Sequence, residues 1–445
     1  MEAKVTQDFD REINEALGRE FAPAAEVSRS GDGELPSCFR VSDLAEASVR
    51  AAAGELAGLT GARAVSVDRR LSLMWFSMSL RPAGWSLPSI WDPIAGDYRA
   101  ADGWIRLHTN APHHRHAALQ VLDCAGDRES VSAAVAARNK DELEAAIVAV
   151  GGAAAAMRSL EEWRTHPQGQ AVAAEPLIQW RDIGQGRRIT GVAGLRVLDL
   201  TRVLAGPVAT RFLAGFGADV LRIDPPDWNE PAVEPEVTVG KRRAGLDLHR
   251  ADDRRTFEAL LSKADVLVHG YRPGALEKLG YGDEERQRLS PGLIDVCLDA
   301  YGWTGPWAGR RGFDSLVQMS CGIADEGMTR SGGAQPVPLP VQALDHATGY
   351  LIAAAVLRAL RHAQATGTRF SARLSLARTA ALLTGAGARP FQGSKLEDRD
   401  ADLAPALEQT SWGPARRLTF PVRVDGRGPE WALPAGLLRI DAARW

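Results

Sequence analysis

The stretch LRVLDLTRVLAGPVATRFLAGFGADVLRID, residues 195–224, reads as a strand, a tight turn, a helix and a second strand. In the turn, Gly206 permits a close backbone approach and Pro207 suits the first helical position. Phe212 belongs to the apolar face of the helix, and Gly217 can end it. This βαβ unit lacks the G-x-G-x-x-G spacing of a dinucleotide site, so the helix N-terminus serves another ligand or simply turns the chain.

Strands and helices alternate regularly after this unit, which predicts a parallel sheet wrapped by helices. The predicted strands lie near 195–200, 218–224, 264–270 and 293–300. A Pro-rich segment at 225–237, PPDWNEPAVEPEV, interrupts the alternation and is either a binding loop or a plain surface insertion. The predicted fold class is therefore α/β, with a Rossmann-like parallel sheet, flanking helices and a smaller α+β domain.

Composition narrows the class of protein. With 445 residues, 45% of them hydrophobic, the chain is long enough for two or three regions with a substantial core. A formal charge of −3, with both signs mixed, argues against a protein that binds nucleic acid by gross electrostatics. The N-terminus is charged, and no apolar run is long enough to span a membrane, so we expect a cytoplasmic protein. The four cysteines lack C-x-x-C spacing, which predicts free thiols.

Two segments of the chain resemble one another. Residues 41–73 align with residues 342–376, and the alignment sets Asp43 opposite Asp345. Each segment carries a Thr-Gly pair after an Ala-rich helical pattern, with a deletion of about one helical turn in the first. This similarity arises either from chance among Ala-rich helices or from a spliced duplication. In a duplication Asp43 is the degenerate counterpart of Asp345, and it is then either a helix cap or a second nucleophile.

Short motifs then connect the chain to a known family. They are RVLAGP at 202–207, GADV at 217–220 ahead of DPP at 224–226, GKR at 240–242, ADVLV at 264–268 ahead of RPG at 272–274, YG at 301–302 ahead of TGP at 304–306, and GFD at 312–314. In this order they closely resemble the class III CoA transferases of the CaiB/BaiF type. Segments 95–110 and 158–170 resemble the small domain that follows these motifs in the family, yet here they come first. The chain is therefore similar to a permuted or half-duplicated member.

The resemblance implies a CaiB/BaiF-like fold and a reaction. A CoA transferase moves CoA from an acyl-CoA to a carboxylic acid, through a mixed anhydride and then an aspartyl-CoA thioester. The matching aspartate is Asp345, in ALDHATG at 343–349. A carboxyl group with a reference pKa of about 3.9 is ionised at neutral pH and needs no general base to become a nucleophile. From spacing alone, Asp345 also fits as the N-cap of a helix at about 346–361.

The resemblance also implies binding residues, since CoA carries a diphosphate and a 3′-phosphate. The expected CoA-binding residues are Leu204, Ala205, Gly206, Pro207, Arg222, Lys241, Arg242 and Arg272. The expected lining of the acyl pocket is Trp104, His108, Asn110 and Phe313. Backbone N–H groups near the nucleophile would hold the oxyanion. The substrates are then an acyl-CoA and a carboxylic acid, with no tightly bound cofactor and no metal.

The sequence also allows functions other than CoA transfer, and some of them are disfavoured by its motifs. An acyl-CoA racemase of the same family uses a histidine where this chain has Phe313, which cannot transfer a proton. A catalytically silent CoA-binding subunit is a further alternative, because the family's glycine-rich shielding loop is not identifiable. The histidines at 108, 113, 114 and 116 lack H-E-x-x-H spacing and an acidic ligand, which disfavours zinc. An NAD dehydrogenase that uses Asp224 lacks its glycine fingerprint.

The pattern also predicts domain boundaries and an assembly. The predicted parts are an N-terminal appendage at 1–37, a partial repeat with the small domain at 38–183, a linker at 184–194, the CoA-binding catalytic domain at 195–390 and a tail at 391–445 that packs on the fold. The family resemblance implies a homodimer, and we expect neither nucleic-acid nor membrane partners.

Overall fold

The computed structural model describes residues 2–18, 26–186 and 191–445, with residues 2–8 described by backbone alone. Residues 187–190 of the predicted linker, and residues 1 and 19–25 of the predicted appendage, lie outside the described residues. The strands are β1 (Val27–Ser30), β2 (Val65–Asp68), β3 (Leu80–Pro82), β4 (Gly96–Ala100), β5 (Gly103–Leu107), β6 (Ala154–Ala156), β7 (Gln179–Gln185), β8 (Arg196–Leu200), β9 (Asp219–Asp224), β10 (Lys241–Gly245), β11 (Val266–His269), β12 (Ile294–Asp299), β13 (Thr368–Ser375), β14 (Leu403–Thr410), β15 (Gly413–Leu418) and β16 (Val422–Val424).

Helices fill most of the chain between these strands. They are α1 (Glu2–Ala16), α2 (Val41–Thr60), α3 (Arg69–Met74), α4 (Pro112–Leu122), α5 (Arg128–Ala136), α6 (Lys140–Ala149), α7 (Leu160–Thr165), α8 (Pro167–Ala174), α9 (Ala205–Gly215), α10 (Glu234–Val237), α11 (Ala251–Leu261), α12 (Ala275–Lys278), α13 (Asp283–Leu289), α14 (Asp314–Ser320), α15 (Ile323–Ser331), α16 (Ala343–Thr366) and α17 (Leu376–Gly385). None of the described helices is long and apolar enough to cross a membrane.

The largest sheet has the order β10-β9-β8-β11-β12-β13-β7. Its strands are parallel except for β7, which runs antiparallel to β13 at one edge. The strand β11 is buried along its whole length, as expected for a strand covered on both faces by helices. The predicted α/β class and the four predicted strands are therefore confirmed, and β11, with the sequence VLVH, shows the apolar character of a strand buried on both faces.

The two similar segments form equivalent, neighbouring elements. The helices α2 and α16 pack against each other, and each carries its aspartate in the first turn. Each ends at a left-handed glycine, Gly61 with φ 66° and Gly367 with φ 79°. Each is then followed by a strand, β2 or β13. The first segment thus belongs to the core of the large domain, next to the helix that it resembles.

The predicted domain boundaries do not follow the packing. Phe9, Ile13 and Leu17 lie in the same hydrophobic core as α2 and α16, so the described part of residues 1–37 is not a separate appendage. The predicted block 38–183 also cuts through β7, which belongs to the large sheet. A distinct small sheet, β4-β5-β6, has its own core with α4, α5 and α6. Sequence patterns missed these boundaries because strands and helices far apart in the chain complete one core.

The C-terminal tail packs back onto the fold by strand pairing. The strand β15 pairs with β3, and β16 pairs with β2. Trp431 stacks on Trp75, with ring centroids 5.7 Å apart, and its indole N–H donates to the carbonyl of Arg211 in α9. The tail therefore supports the first helix of the large sheet. All four cysteines are free thiols.

Candidate active site

The strand order of the large sheet reverses direction between β8 and β11. From this pair, β9 and β10 continue to one side and β12 and β13 to the other. In open α/β sheets, ligands bind at the carboxyl ends of the strands at such a switch point. Those ends are Leu200 and His269, and the turns that follow them line a cavity of about 420 Å³. We call it the cationic cavity, because arginines 202, 272, 310 and 311 line it.

The turn between β8 and α9 has an unusual backbone. Val203 has a φ of 64°, which is costly for a β-branched residue. Its N–H donates to Glu230 at 2.9 Å, and Glu230 in turn pairs with Arg222. At Gly206 a Cβ would lie 2.2 Å from Thr201, so this position needs glycine. Buried interactions hold the turn in a strained shape, as is common at functional sites.

Three arginines of the cationic cavity have no carboxylate partner among the described residues: Arg202, Arg272 and Arg311. Arg202 lies over Trp228 and Tyr271, with its guanidinium carbon 4.7 Å and 5.3 Å from the ring centroids. Burial and the neighbouring Arg272 lower the pKa of Arg311 from its ordinary value. Like charges held together in this way favour the binding of an anion. Sequence reasoning included Arg272 and missed the other two.

The structure places the other predicted cations elsewhere. Arg222 is fully buried and pairs with Asp224, and its Nε lies 2.8 Å from the carboxylate. Lys241 is also fully buried, and its Nζ lies 3.0 Å from Asp199 and 3.0 Å from the carbonyl of Pro207. Arg242 pairs with Asp219 and lines neither this cavity nor the one described below. Each of these three predicted CoA contacts is thus already paired with a carboxylate.

Of the four turn residues that the sequence predicts as CoA contacts, two line a cavity and two do not. Leu204 and Ala205 line cavities, whereas Gly206 and Pro207 are buried behind them. Burial lowers the pKa of Lys241 to about 8, although the adjacent Asp199 opposes this shift. Asp199 also accepts hydrogen bonds from Thr201, so the Asp199–Lys241 ion pair holds the carboxyl end of β8 in place. Lys241 and Pro207 therefore position the turn.

Asp345 lies where two cavities meet. It lines the cationic cavity and a second cavity of about 320 Å³. We call the second one the aromatic cavity, because Trp91, Trp228 and Phe313 line it. The helix α16 begins at Ala343 with Gln342 as its N-cap, so Asp345 belongs to the first helical turn and is not the N-cap. Its carboxyl group accepts no hydrogen bond from any described residue and is free to contact a ligand.

The environment of Asp345 differs from that of a solvated carboxyl group. Burial and the neighbouring Asp314 raise its pKa well above the ordinary value. Burial also raises the pKa of Asp314 to about 6. Asp314 accepts a hydrogen bond from the backbone N–H of Asp345 at 2.9 Å, so the two carboxyl groups are held together. The reference pKa that predicts an ionised Asp345 assumes solvent around the group, and burial beside Asp314 shifts the pKa in the direction of the protonated form.

Most of the predicted acyl-pocket residues lie together in the aromatic cavity. His108 and Phe313 stack there with ring centroids 3.8 Å apart, and Asn110 lies at the rim, where its amide donates to the carbonyl of Ile90. Trp104 lines neither this cavity nor the cationic one. Buried polar atoms without a partner among the described residues include Ser315 Oγ and His346 Nδ1. Such atoms at a cavity wall indicate where a ligand's polar groups bind.

The Pro-rich segment 225–237 contributes to both cavities. Trp228 lines both of them, and its indole N–H donates to Glu230 at 3.1 Å. The tail residue Arg439 donates to Asn229 at 2.6 Å and to the carbonyls of Pro225 and Trp228. Of the two predicted alternatives, the structure favours a binding loop over a plain insertion.

Metal-ligating residue types come together in another place. His269, Asp295 and Cys297 bring their ligand atoms within 4.8 Å of one another, all of them buried. Arg286 already donates to Asp295 at 2.8 Å, and its positive charge disfavours a cation there. The histidines at 108 and 114 lie among aromatic rings, and burial lowers both pKa values to about 3.

Asp299, at the end of β12, gives a pH-dependent prediction. It lines the cationic cavity, and burial raises its pKa to about 7 from 3.8. Because the charged form is disfavoured in the folded state, folding stability falls as pH rises from about 4 to about 7. Asp299→Asn keeps an acceptor for the N–H of Gly302, which Asp299 now binds at 2.8 Å. We expect the variant to be about 2 kcal/mol more stable than the wild type at pH 8, with little difference at pH 4.

A residue on the same strand serves as the matched control. His269 and Arg286 lower the pKa of Asp295 to about 2, although burial alone would raise it. Asp295→Asn should therefore destabilise the protein at pH 8, with the opposite sign. Thermal or denaturant unfolding of both variants at pH 4 and pH 8 measures the contrast. Equal effects of Asp299→Asn on stability at the two pH values would contradict the raised pKa of Asp299.

Comparison with known proteins agrees with the motif resemblance. Residues 192–399 match the family model described as CoA-transferase family III. An acetyl-coenzyme A transferase of Hypoxylon pulicicidum is 38% identical over 174 residues, which cover 38% of this chain and 29% of that protein. A succinyl-CoA:glutarate CoA-transferase of Mus musculus is 33% identical over 187 residues, which cover 39% of this chain and 42% of that protein. A crystal structure from Mycobacterium tuberculosis is 31% identical, has a TM-score of 0.39 and overlaps 43% of this chain and 56% of that one. The chain spans less than half the length of the two relatives.

Proposed function

We propose that the chain transfers CoA from an acyl-CoA to a carboxylic acid, with Asp345 as the nucleophile, a function supported by the match of residues 192–399 to CoA-transferase family III. The observation that carries the proposal is the position of Asp345 between a cationic and an aromatic cavity. CoA joins an anionic nucleotide to an acyl group through a thioester. A residue that attacks the thioester carbonyl must lie between the two binding regions.

The cationic cavity is proposed to bind the phosphates of CoA. Arg202, Arg272 and Arg311 present guanidinium groups that no described carboxylate neutralises. They lie beside the N-terminal end of α9, where the helix dipole also favours anions. These three arginines replace the predicted set of Arg222, Lys241 and Arg242. The aromatic cavity then receives the acyl group.

The proposed reaction balances in two symmetrical halves. The Asp345 carboxylate attacks the thioester carbonyl, so the C–S bond breaks and CoA leaves as a thiolate with a mixed anhydride on the enzyme. The thiolate attacks the aspartyl carbonyl of the anhydride, which releases the donor acid and leaves an aspartyl-CoA thioester. The acceptor carboxylate then attacks this thioester. The thiolate that leaves attacks the acceptor's acyl carbon, forms the new acyl-CoA and regenerates Asp345.

The raised pKa of Asp345 affects the first step. Burial next to Asp314 makes the ionised form less stable, so a smaller fraction of the enzyme carries a carboxylate. The carboxylate that does form is poorly solvated and is more nucleophilic than one in water. Ser315 Oγ, buried without a described partner, can donate a hydrogen bond to the oxyanion in place of solvent.

Transfer fits the cavity walls better than racemisation does. The acyl-CoA racemases that this chain resembles use a histidine at the position of Phe313 to exchange a proton with carbon near neutral pH. Phe313 has no titratable group. Burial lowers the pKa of the adjacent His108, and of His346 on α16, to about 3, so both imidazoles are weak bases. Measurement of a new acyl-CoA by mass spectrometry after incubation with an acyl-CoA and a second carboxylic acid tests transfer directly.

Loss of an unpaired arginine should weaken CoA binding. We expect Arg272→Ala to raise the dissociation constant of CoA by about tenfold, because a charge-assisted hydrogen bond to phosphate contributes about 1.5–3 kcal/mol. Arg202→Ala and Arg311→Ala should act similarly. Isothermal titration calorimetry with CoA measures the effect, which should shrink at high salt.

Arg242→Ala is the matched control, because Arg242 pairs with Asp219 outside both cavities. Its dissociation constant for CoA should stay within about twofold of the wild type. A larger loss of affinity in Arg242→Ala than in Arg272→Ala would contradict the placement of CoA in the cationic cavity.

A further inference from the structure

The aromatic cavity contains many carboxyl groups but no cationic side chain. Among the described residues that line it there is neither a lysine nor an arginine. Its acidic residues are Asp92, Glu230, Glu236, Asp314 and Asp345. The cationic cavity on the other side of Asp345 has the opposite character, with four arginines. The charge of the walls therefore changes sign across the nucleophile.

The carboxyl groups around the aromatic cavity already have partners, apart from Asp345. Glu236 pairs with Arg211 and accepts from Ser79 at 2.7 Å. Glu230 pairs with Arg222, and Asp92 accepts from Thr109 at 2.7 Å and pairs with Arg115 at 3.5 Å, although Arg115 does not line the cavity. The cations that neutralise the two glutamates lie behind the walls, fully buried, and cannot reach a ligand. A second carboxylate in this cavity would lose its water without gaining a cation.

The remaining walls suit an uncharged body. Trp91 and Trp228 face the cavity together with Ile90, which is 44% exposed at the rim. The polar atoms left without a described partner, Ser315 Oγ and His346 Nδ1, belong to residues adjacent in sequence to Asp314 and Asp345. They can bind the reacting carboxyl or thioester oxygen but are not cations. The cavity thus offers polar contacts beside the nucleophile and aromatic contacts elsewhere.

We infer that the acyl groups that this protein transfers are those of monocarboxylic acids with an uncharged, largely apolar body, and that dicarboxylic acids are rejected. This inference rests on the proposed transfer reaction, and it separates the chain from its relative named as a succinyl-CoA:glutarate CoA-transferase. The rejection arises because a buried carboxylate without a cation or a full set of hydrogen bonds is costly.

A matched pair of acids tests the inference. Hexanoate and adipate have the same number of carbons and differ by one terminal carboxylate. Binding of each to the wild-type protein is followed by tryptophan fluorescence, since Trp91 and Trp228 line the cavity. Transfer of CoA to each acid is then measured separately by mass spectrometry. We expect hexanoate to be preferred at least about 100-fold, because an unpaired buried charge costs several kcal/mol.

A cation placed at the rim should relax the preference. Ile90→Lys changes a partly exposed side chain, so the fold should tolerate it, and we expect the preference to fall about tenfold. Leu407→Lys is the control, because Leu407 is 51% exposed on β14 and lines neither cavity. It should leave the preference unchanged.

The possible outcomes separate this inference from the proposed reaction. Equal binding of the two acids, binding of neither, or a ratio that Ile90→Lys leaves unchanged would overturn the inference. Preferred binding of hexanoate without transfer of CoA to it, from any acyl-CoA, would support the cavity's selectivity and count against the proposed reaction. Preferred binding and preferred transfer of hexanoate support both.

Discussion

Asp345→Asn and Asp345→Ala are expected to lose CoA-transfer activity by at least roughly 1,000-fold in kcat, because Asp345 is the only nucleophile among the described residues that line both cavities. The amide of Asn fills the same space but cannot form the aspartyl anhydride. Affinity for CoA should change by less than about tenfold, since the phosphates bind to arginines. Steady-state kinetics and calorimetry separate the two effects.

The chain contains a matched control for this substitution. Asp43 occupies the same place in the first turn of α2 that Asp345 occupies in α16. Its carboxylate pairs with Arg69 at 3.0 Å and lines neither cavity. Asp43→Asn should lower thermal stability, because it leaves Arg69 with fewer partners, but it should keep kcat within about twofold of the wild type. A kcat as low as that of Asp345→Asn would instead assign Asp43 to the reaction.

Gly349→Ala is expected to destabilise the protein strongly. A Cβ at this position would lie 2.5 Å from the carbonyl oxygen of Ala205 and 2.8 Å from the Cβ of Val208. These atoms belong to α9 itself, so they cannot move without separating α9 from α16. We expect a loss of about 3 kcal/mol in the free energy of unfolding. The loss of kcat should exceed what the folded fraction explains, because Asp345 lies one turn earlier on α16.

Gly385→Ala controls for the helical propensity of alanine. Gly385 ends α17, and no atom lies within 4 Å of the position where its Cβ would be. Its replacement should be neutral or stabilise the protein by up to about 1 kcal/mol. Denaturant unfolding of both variants gives the comparison. Equal stability of Gly349→Ala and Gly385→Ala would contradict the close approach of α9 and α16.

The sequence predicted the structure best where the residue pattern of a segment directly reflects its burial or its backbone conformation. The stretch 195–224 predicts β8, α9 and β9, because strands covered on both faces are rich in Val, Leu and Ile and the turn after β8 needs Gly206. The similarity of residues 41–73 and 342–376 likewise predicts equivalent elements. It did not predict that the two helices touch, since this depends on how distant strands order themselves in the sheet.

The candidate site was less predictable, because charge partners come from neighbouring strands. Arg222 and Lys241 have the residue types of a phosphate site, but Asp224 and Asp199 neutralise them in the interior. Nothing local in the sequence distinguishes them from Arg202, which pairs with no carboxylate in the described part of the chain. The raised pKa of Asp345 could not be predicted from the sequence either, since Asp314 approaches it from another helix, 31 residues away in the chain.

The most direct test of the central claim is intact-protein mass spectrometry of the wild type and of Asp345→Ala after incubation with acyl-CoAs. Trapping with hydroxylamine and peptide mapping then locate the modified residue. We expect an adduct on Asp345 in the wild type that converts to the hydroxamate and is absent from the variant. New acyl-CoA formed without modification of Asp345, or an adduct that persists in Asp345→Ala, would contradict the proposed role of this aspartate.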